Sequence, residues 1–255
     1  MSDLFDLRGK TALVTGGSRG IGLMIARGFV EAGVEVVISS RKADVCHEVA
    51  AELSDLGTCR AMPADLSTED ECRRLADDVL AAGDGRLDIL VNNAGATWGA
   101  PMADFDDAAW DRVLDLNVKG VFHLTRFLRD GLAAAATADD PARVINIGSV
   151  DGLHVPLFET YSYSASKAAV HHLTKVLAAR LAPDLITVNA IAPGPFESKM
   201  MASTLEAFGD EIRRNVPLGR IGEPSDMAGT AIFLASRAGR YLTGTIIPVD
   251  GGLSL

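Results

Sequence analysis

The chain of 255 residues is short of positive charge: 24 Lys and Arg stand against 34 Asp and Glu, a formal net charge of −10. Broad nucleic-acid or acidic-membrane surfaces call for clustered Lys and Arg, so both are excluded and only local basic sites remain. Cysteine is equally scarce. Cys46, Cys59 and Cys72 form no even-numbered framework and no C-x-x-C pair, and none has a histidine at zinc-ligand spacing. They read as reduced thiols in a cytosolic protein, and no motif requires a metal. No apolar run reaches the ~18 residues of a membrane span. The acidic start, Met1 to Asp6, lacks the basic-then-apolar pattern of a signal peptide. The expectation is a soluble, cytoplasmic protein. Pro- or Gly-rich linkers and internal repeats are also missing, so 1–255 reads as a single domain.

What the chain does have is alternation. Apolar, β-branched runs at Thr11–Val14, Val34–Ile38, Leu87–Val91, Val144–Ile147, Ile186–Ile191 and Ile246–Val249, with a weaker one at Thr58–Pro63, predict seven strands. Helical periods fill the gaps at Ile21–Ala32, Ala43–Leu56, Thr68–Ala82, Asp107–Leu132, Ser164–Leu181 and Pro224–Ala235. Strands this apolar are buried on both faces, and the alternation predicts a three-layer α/β fold: a seven-stranded parallel sheet with helices on both faces. Ala133–Pro141 is expected to project as a surface loop. The stretch 193–217 is either a lid over a binding site or a helical excursion that covers core.

The first strand runs into Thr15-Gly16-Gly17-Ser18-Arg19-Gly20-Ile21-Gly22 and then an apolar helix. Gly16, Gly20 and Gly22 allow a tight turn, close approach of a pyrophosphate and close helix–strand contact, while the helix N-terminus offers free N–H groups. The spacing is T-G-x-x-x-G-x-G. Further along stand Asn92-Asn93-Ala94-Gly95, Asn117 in Leu-Asn-Val, Ser149 in Ile-Gly-Ser-Val, Tyr163-Ser-Ala-Ser-Lys167, Pro193-Gly194 and Asp250-Gly251-Gly252. This ordered set, spanning the whole chain, resembles the short-chain dehydrogenase/reductase family and its 3-oxoacyl reductase branch, rhamnolipid-type members included. The resemblance implies a Rossmann fold and a nicotinamide-dependent oxidoreductase.

Tyr163 and Lys167, four residues apart, share a helix face. A phenol with a reference pKa of about 10 is a poor acid–base group near neutrality, and a nearby ammonium is expected to lower it. Tyr163 would then donate a proton to a carbonyl oxygen that Ser149 holds by hydrogen bond. The resemblance adds Lys167 holding the nicotinamide ribose and Asn117 supporting a proton-resupplying water chain. An isolated Y-x-x-x-K is often only an exposed helical pair, but the 14-residue step from Ser149 and the glycine turn upstream speak against that. Tyr161 has Ala165, not Lys, four residues on, and no G-x-S-x-G elbow supports a hydrolase. Of His171 and His172, one is expected to pack while the other meets solvent. His154 either lines the substrate mouth or is a solvated loop histidine.

Dinucleotide folds that choose NAD place an acid after the second strand. Here that strand ends Ser39-Ser40-Arg41-Lys42. Arg41, with Ser40 and with Arg19 from the glycine turn, would bind a 2′-phosphate, so the cofactor is expected to be NADP(H). The resemblance extends the cofactor set to Ser18, Ile21, Asp65 and Leu66 near adenine, Asn93 and Gly95 beside the ribose, and Pro193, Gly194, Tyr163 and Lys167. Candidate substrate residues are Ser149, His154, Tyr163, Pro195, Phe196 and Met200, with Met201, Leu205 and Phe208 also in the lid segment.

Three functions fit. An NADPH-dependent 3-oxoacyl thioester reductase leads; an NADP-dependent dehydrogenase of a sugar acid, polyol or steroid differs in substrate only; a non-catalytic nucleotide-binding regulator is of another class. Members that take acyl carrier protein resemble each other in carrying arginines where this chain has Asp184 and, near Arg126 and Arg129, Asp130. With the acidic net charge, this makes carrier docking doubtful. The resemblance also implies a homotetramer built through the long helices at Asp107–Leu132 and Ser164–Leu181. The substrate itself is a small-molecule carbonyl or acyl thioester.

Overall fold

The computed structural model describes residues 4–156, 158–198 and 201–255, with the backbone alone at 202–205. Seven parallel strands form one sheet among these residues, in the order β3-β2-β1-β4-β5-β6-β7. They are β1 (Thr11–Thr15), β2 (Glu35–Ser39), β3 (Cys59–Ala61), β4 (Ile89–Asn92), β5 (Ala142–Ile147), β6 (Ile186–Pro193) and β7 (Ile246–Val249). Each predicted run became a strand, shifted by up to two residues. The order reverses between β1 and β4, and in an open parallel sheet the crevice at that switch point, beyond the strand C-termini, receives the ligand.

Period-two alternation divides the core. Ala12 and Val14 of β1, with Ile89 and Val91 of β4, face one apolar layer, while Leu13 and Leu90 face the other. The first layer holds α1 (Gly20–Glu31), α2 (Ala43–Ser54) and α8 (Pro224–Ala235), with Ile25, Phe29, Met227 and Leu234 fully buried. The second holds α3 (Glu69–Ala82), α5 (Val121–Ala135) and part of α6 (Tyr161–Leu181), with Leu75, Leu124 and Leu128 at its centre. Local chemistry sets the helix starts. Thr68 caps α3 by accepting from Glu71 N–H at 3.4 Å, and three acids follow in the first turn. Glu223 and Asp226 form a reciprocal box around Pro224 at the head of α8.

Three expectations are corrected. The helix predicted over Asp107–Leu132 is α4 (Asp107–Leu114), a π-type segment at Asp115–Gly120, and then α5. The segment ends at Gly120, which packs directly on Leu66: a Cβ there would lie 2.5 Å from the Leu66 carbonyl oxygen. Ala133–Pro141 is a surface loop only in its second half, where Thr137, Ala138 and Asp139 are exposed. Helix α5 continues to Ala135, and the following turn is pinned where Asp140 meets Lys10 at 2.6 Å and the buried Arg143 at 2.9 Å. Finally, α6 begins at Tyr161 rather than Ser164, which puts Tyr163 inside its first turn. The 193–217 stretch contains α7 (Ala202–Asn215), whose described side chains beyond 205 are mostly exposed. No helix among the described residues is long and apolar enough to cross a membrane.

Candidate active site

The glycine turn leaves β1 at Thr15 and enters α1 at Gly20. Gly16 has φ +64° and Gly20 φ +53°, both in the left-handed region that favours glycine. A Cβ on Gly16 would lie 2.6 Å from Asn93 Nδ2, and one on Gly22 would overlap the Gly16 carbonyl. The helix cap, Arg19, makes no side-chain capping bond, so the first N–H groups of α1 open into the crevice. These features form a cradle with no room for side chains, and they fit a pyrophosphate. The Asn93 side chain braces this turn, donating to the Thr15 carbonyl at 2.8 Å and more weakly to that of Gly16. Thr15 was not singled out from the sequence. Its hydroxyl donates to the Val91 carbonyl and accepts from the N–H groups of Asn93 and Ala94, tying the ends of β1 and β4 together.

At the end of β2, Arg41 is 60% exposed in its side chain and lies 4.0 Å from Asp65. Asp65 Oδ1 in turn accepts from the N–H and hydroxyl of Ser67, and Leu66 behind it is buried. No carboxylate occupies the residues just after β2, so nothing at Ser40–Lys42 repels a 2′-phosphate. Ser18 is buried in the turn, and Ile21 is partly buried beneath it.

On the other side of the switch point, the four catalytic candidates stand together. Asn117 lies on the π-type segment, whose extra residue per turn swings it inward. Its Oδ1 accepts from Ala96 N–H at 2.8 Å, and its Nδ2 donates to the Ala96 carbonyl and to Ser166 Oγ, both at 2.9 Å. Lys167, 6% exposed, donates from Nζ to the Ile147 carbonyl at 2.8 Å, and that nitrogen sits 5.5 Å from the Tyr163 ring centre. The Ser149 hydroxyl accepts from Asp151 N–H at 3.1 Å, which leaves its own proton to donate to the Tyr163 phenol. Behind them Asn92, Thr125, Asn146 and Thr174 form a buried chain of hydrogen bonds that fixes β4, β5, α5 and α6 relative to one another.

The electrostatics differ from the sequence expectation. Burial pushes the Tyr163 phenol up to about 12, against the lowering from the Ser149 hydrogen bond, and the Asp151 carboxylate adds to the rise. Burial also pushes Lys167 down to about 8, with Asp151 opposing. The phenol is therefore raised rather than lowered, because burial outweighs the Ser149 hydrogen bond. Asp151 also escaped the sequence reading. Its own carboxyl is raised by burial and lowered by His154 and Lys167, and no ion pair is made to it among the described residues.

The remaining candidates are distributed as follows. His154 Nδ1 is 2.9 Å from the Val155 carbonyl oxygen, and its Nε2 is buried without a partner. Tyr161 donates to Glu159 at 2.6 Å on the surface and stands apart from the site. His171 is buried and His172 exposed. Gly95 borders the site, where a Cβ would meet Asn117 Oδ1 at 3.4 Å and Lys167 Nζ at 3.8 Å. Pro193 ends β6, and Gly194 N–H donates to the Val249 carbonyl at 3.0 Å. Pro195 and Phe196 are both buried: the Pro195 carbonyl accepts from Gly222 N–H, and the Phe196 ring fills the space a Gly222 side chain would need. They anchor the base of the lid segment rather than standing free in its lining. Met200 lies outside the described residues, as does the side chain of Leu205. Ser198 approaches Gly20 of the glycine turn, and Phe208 meets Phe158 with ring centres 6.0 Å apart.

A family model described as Enoyl-(Acyl carrier protein) reductase matches residues 16–254. The chain is 48% identical to the rhamnolipids biosynthesis 3-oxoacyl-[acyl-carrier-protein] reductase of Pseudomonas aeruginosa over 258 residues, covering 100% of both chains. It is 37% identical to the L-tagatose-forming galactitol 2-dehydrogenase of Cereibacter sphaeroides, covering 99% of this chain and 98% of the other. Among solved structures, the Pseudomonas aeruginosa RhlG/NADP active-site complex superimposes with a TM-score of 0.96 at 47% identity, covering 100% of each chain.

Proposed function

Because the chain belongs to the short-chain dehydrogenase/reductase family, we propose that it is an NADPH-dependent carbonyl reductase acting on a 3-oxoacyl thioester. The observation that carries this reading is the half-buried Tyr163 phenol beside the Ser149 hydroxyl and the Lys167 ammonium. When bound, the dinucleotide supplies a hydride to the carbonyl carbon. The chain's residues do the rest. The Tyr163 phenol is protonated in the neutral range and so is the available donor to the carbonyl oxygen, with the Lys167 ammonium beside it to ease the transfer. Ser149 holds that oxygen and Lys167 supplies positive charge close by. Asn117, locked to Ala96, keeps the fourth side of the site rigid.

The cofactor positions in this reading begin at Gly16, Gly20 and Gly22, with Ser18, Ile21 and the N-terminus of α1 around the pyrophosphate. Arg19, Ser40 and Arg41 take the 2′-phosphate, Asp65 and Leu66 the adenine, and Asn93 and Gly95 the ribose. Pro193, Gly194, Tyr163 and Lys167 flank the nicotinamide side. The likeness to an NADP complex supports the choice of NADP(H). For the substrate, the likeness to the Pseudomonas aeruginosa reductase supports a thioester whose apolar chain lies under the 194–217 lid of this one domain, near Phe158 and Phe208.

Carrier-protein docking fits poorly, because the two nearby arginines are already engaged: Arg126 with Glu69 and Arg129 with Asp184, each at 2.8 Å. A CoA thioester is the better match. A cytoplasmic homotetramer completes the proposal. A second reading, dehydrogenation of a polyol or sugar acid, is favoured by Asp151, whose carboxylate beside the catalytic pair suits a substrate hydroxyl.

Acetoacetyl-CoA with NADPH, run beside galactitol and gluconate with NADP+, tests the choice. Turnover of the thioester at least 10-fold above either alcohol in kcat/KM is expected, about 1.4 kcal/mol of discrimination. Preference for an alcohol would overturn the thioester assignment and leave the reductase chemistry standing.

A further inference from the structure

Tyr163, Lys167 and His171 recur every fourth residue along α6, so all three face the same way. His171 has no part in the chemistry described above, yet it is 6% exposed and lies directly under the turn that carries Ser149. Its Nε2 accepts from Ser149 N–H at 3.5 Å, a long bond but the one that occupies this buried donor. The turn rests on the ring at two glycines. A Cβ on Gly148 would overlap Nε2 itself, and one on Gly152 would come within 2.9 Å of Cε1 and 2.7 Å of the Lys167 carbonyl carbon. Backbone therefore lies flat on the imidazole on both sides of Ser149.

We propose that His171 is a positioning residue for the carbonyl-holding hydroxyl: its neutral imidazole, accepting through Nε2, sets the backbone of Ser149 and so the aim of Oγ at Tyr163 and the substrate. This rests on the reductase reading, in which Ser149 holds the carbonyl oxygen.

The role depends on protonation state. An acceptor at Nε2 requires the proton on Nδ1, which is buried and makes no close hydrogen bond, although the Gly152 backbone next to the ring favours an N–H there. A charged ring would present N–H to the N–H of Ser149 and displace the turn. Every surrounding cation opposes that charge. Lys167 and Lys175 lie on its own helix, and together with burial they hold the imidazole below its ordinary range. Asp151, His154 and Tyr163 are the titratable groups on the facing turn and at the helix start. The strand ends packed behind, Asn146–Gly148 and Ala190–Ala192, carry none.

Steady-state kinetics with NADPH and acetoacetyl-CoA, on purified His171→Leu and His171→Gln, test the proposal. Glutamine keeps an acceptor near the Nε2 position and cannot titrate; leucine keeps bulk only. His171→Leu is expected to lose roughly 10- to 100-fold in kcat, the usual scale for orienting partners, with NADPH affinity and Tm close to wild type. His171→Gln is expected to recover most of that loss. The wild-type kcat falls only at pH values under the ordinary histidine range of about 6.5, because the imidazole is held below it, and the His171→Gln profile lacks that fall. An undiminished His171→Leu, a glutamine variant no better than leucine, or an acid fall that persists in His171→Gln would each overturn the proposal. If the leucine variant does not fold, the pH profile of His171→Gln decides. Tyr163→Phe, run alongside, separates the two readings. If it stays active the reductase reading fails, whereas an inactive Tyr163→Phe with an unimpaired His171→Leu sinks the positioning role alone.

Discussion

The two halves of the sheet's C-terminal rim handle charge in opposite ways. Before the switch point, around β1 and β2, the cations are outside: Arg41 is 60% exposed in its side chain and meets Asp65 only at 4.0 Å. In the proposed reading, binding there falls to backbone N–H groups in a glycine cradle and to exposed guanidinium groups at its edge. Beyond the switch point, around β5 and α6, the charges are inside: Lys167 is 6% exposed, and Tyr163, Asp151 and His171 are all displaced from their ordinary proton affinities by burial. The difference separates two tasks. Holding a polyanion needs accessible donors that are screened when the ligand is absent. Moving one proton needs groups whose affinities respond strongly to each other, and that requires exclusion of water.

If that division is right, the halves fail independently when broken. The largest effect belongs to Tyr163→Phe, which removes the acid and should lower kcat for thioester reduction by about 10²- to 10⁴-fold, the span for general acid catalysis. NADPH affinity, measured by fluorescence titration, should stay near wild type. Loss of both together would show that the halves are coupled. A smaller change follows from Ser40→Asp with Arg41→Leu. Losing a charge-assisted phosphate contact should weaken NADPH by about 1.5–3 kcal/mol, or roughly 10- to 150-fold, and shift preference toward NADH. The kcat at saturating cofactor should not move. An unchanged NADPH preference would refute the assignment of the 2′-phosphate site.

The outer half was the more legible from sequence, and for the same reason. A backbone that must turn at φ +64° and +53° and approach a ligand closely demands glycine, so Gly16 and Gly20 announce themselves. The missing acid after β2 is also visible in one dimension. The catalytic half was legible in its residues and not in its energetics. Ser149, Tyr163 and Lys167 stand in motifs that resemble the family's, but the sign of the Tyr163 displacement depends on how deeply both groups are buried, which a motif does not encode. For the same reason Asp151 carries no signal in the sequence, and nothing there says which of His171 and His172 packs. The break in the long helix at Asp115–Gly120 was hidden because Asn117's anchor, Ala96, lies on another segment. Phe196 looked like substrate lining on composition, yet Gly222 opens the slot that buries it.

The buried half also carries a cost, and Lys167 shows its sign. Its proton affinity in the folded protein, about 8, lies below the 10.5 of a free lysine. The unfolded chain therefore binds a proton more readily than the native state, and stability is lost as pH falls from above 10.5 through 8. At pH 7 the full penalty is present. Lys167→Met, of similar length and without charge, removes it, but also leaves the Ile147 carbonyl without its donor. The net gain should be about 1–3 kcal/mol at pH 7, or a rise in Tm of roughly 2–10 °C for a chain of this size. That gain should shrink toward zero by pH 10, where wild-type Lys167 is already neutral. Melting curves of both proteins at the two pH values decide the matter. A stabilised but inactive Lys167→Met would mean that the site keeps its ammonium against the preference of the fold, whereas equal melting at pH 7 would put Lys167 on the same footing as the solvated arginines across the rim.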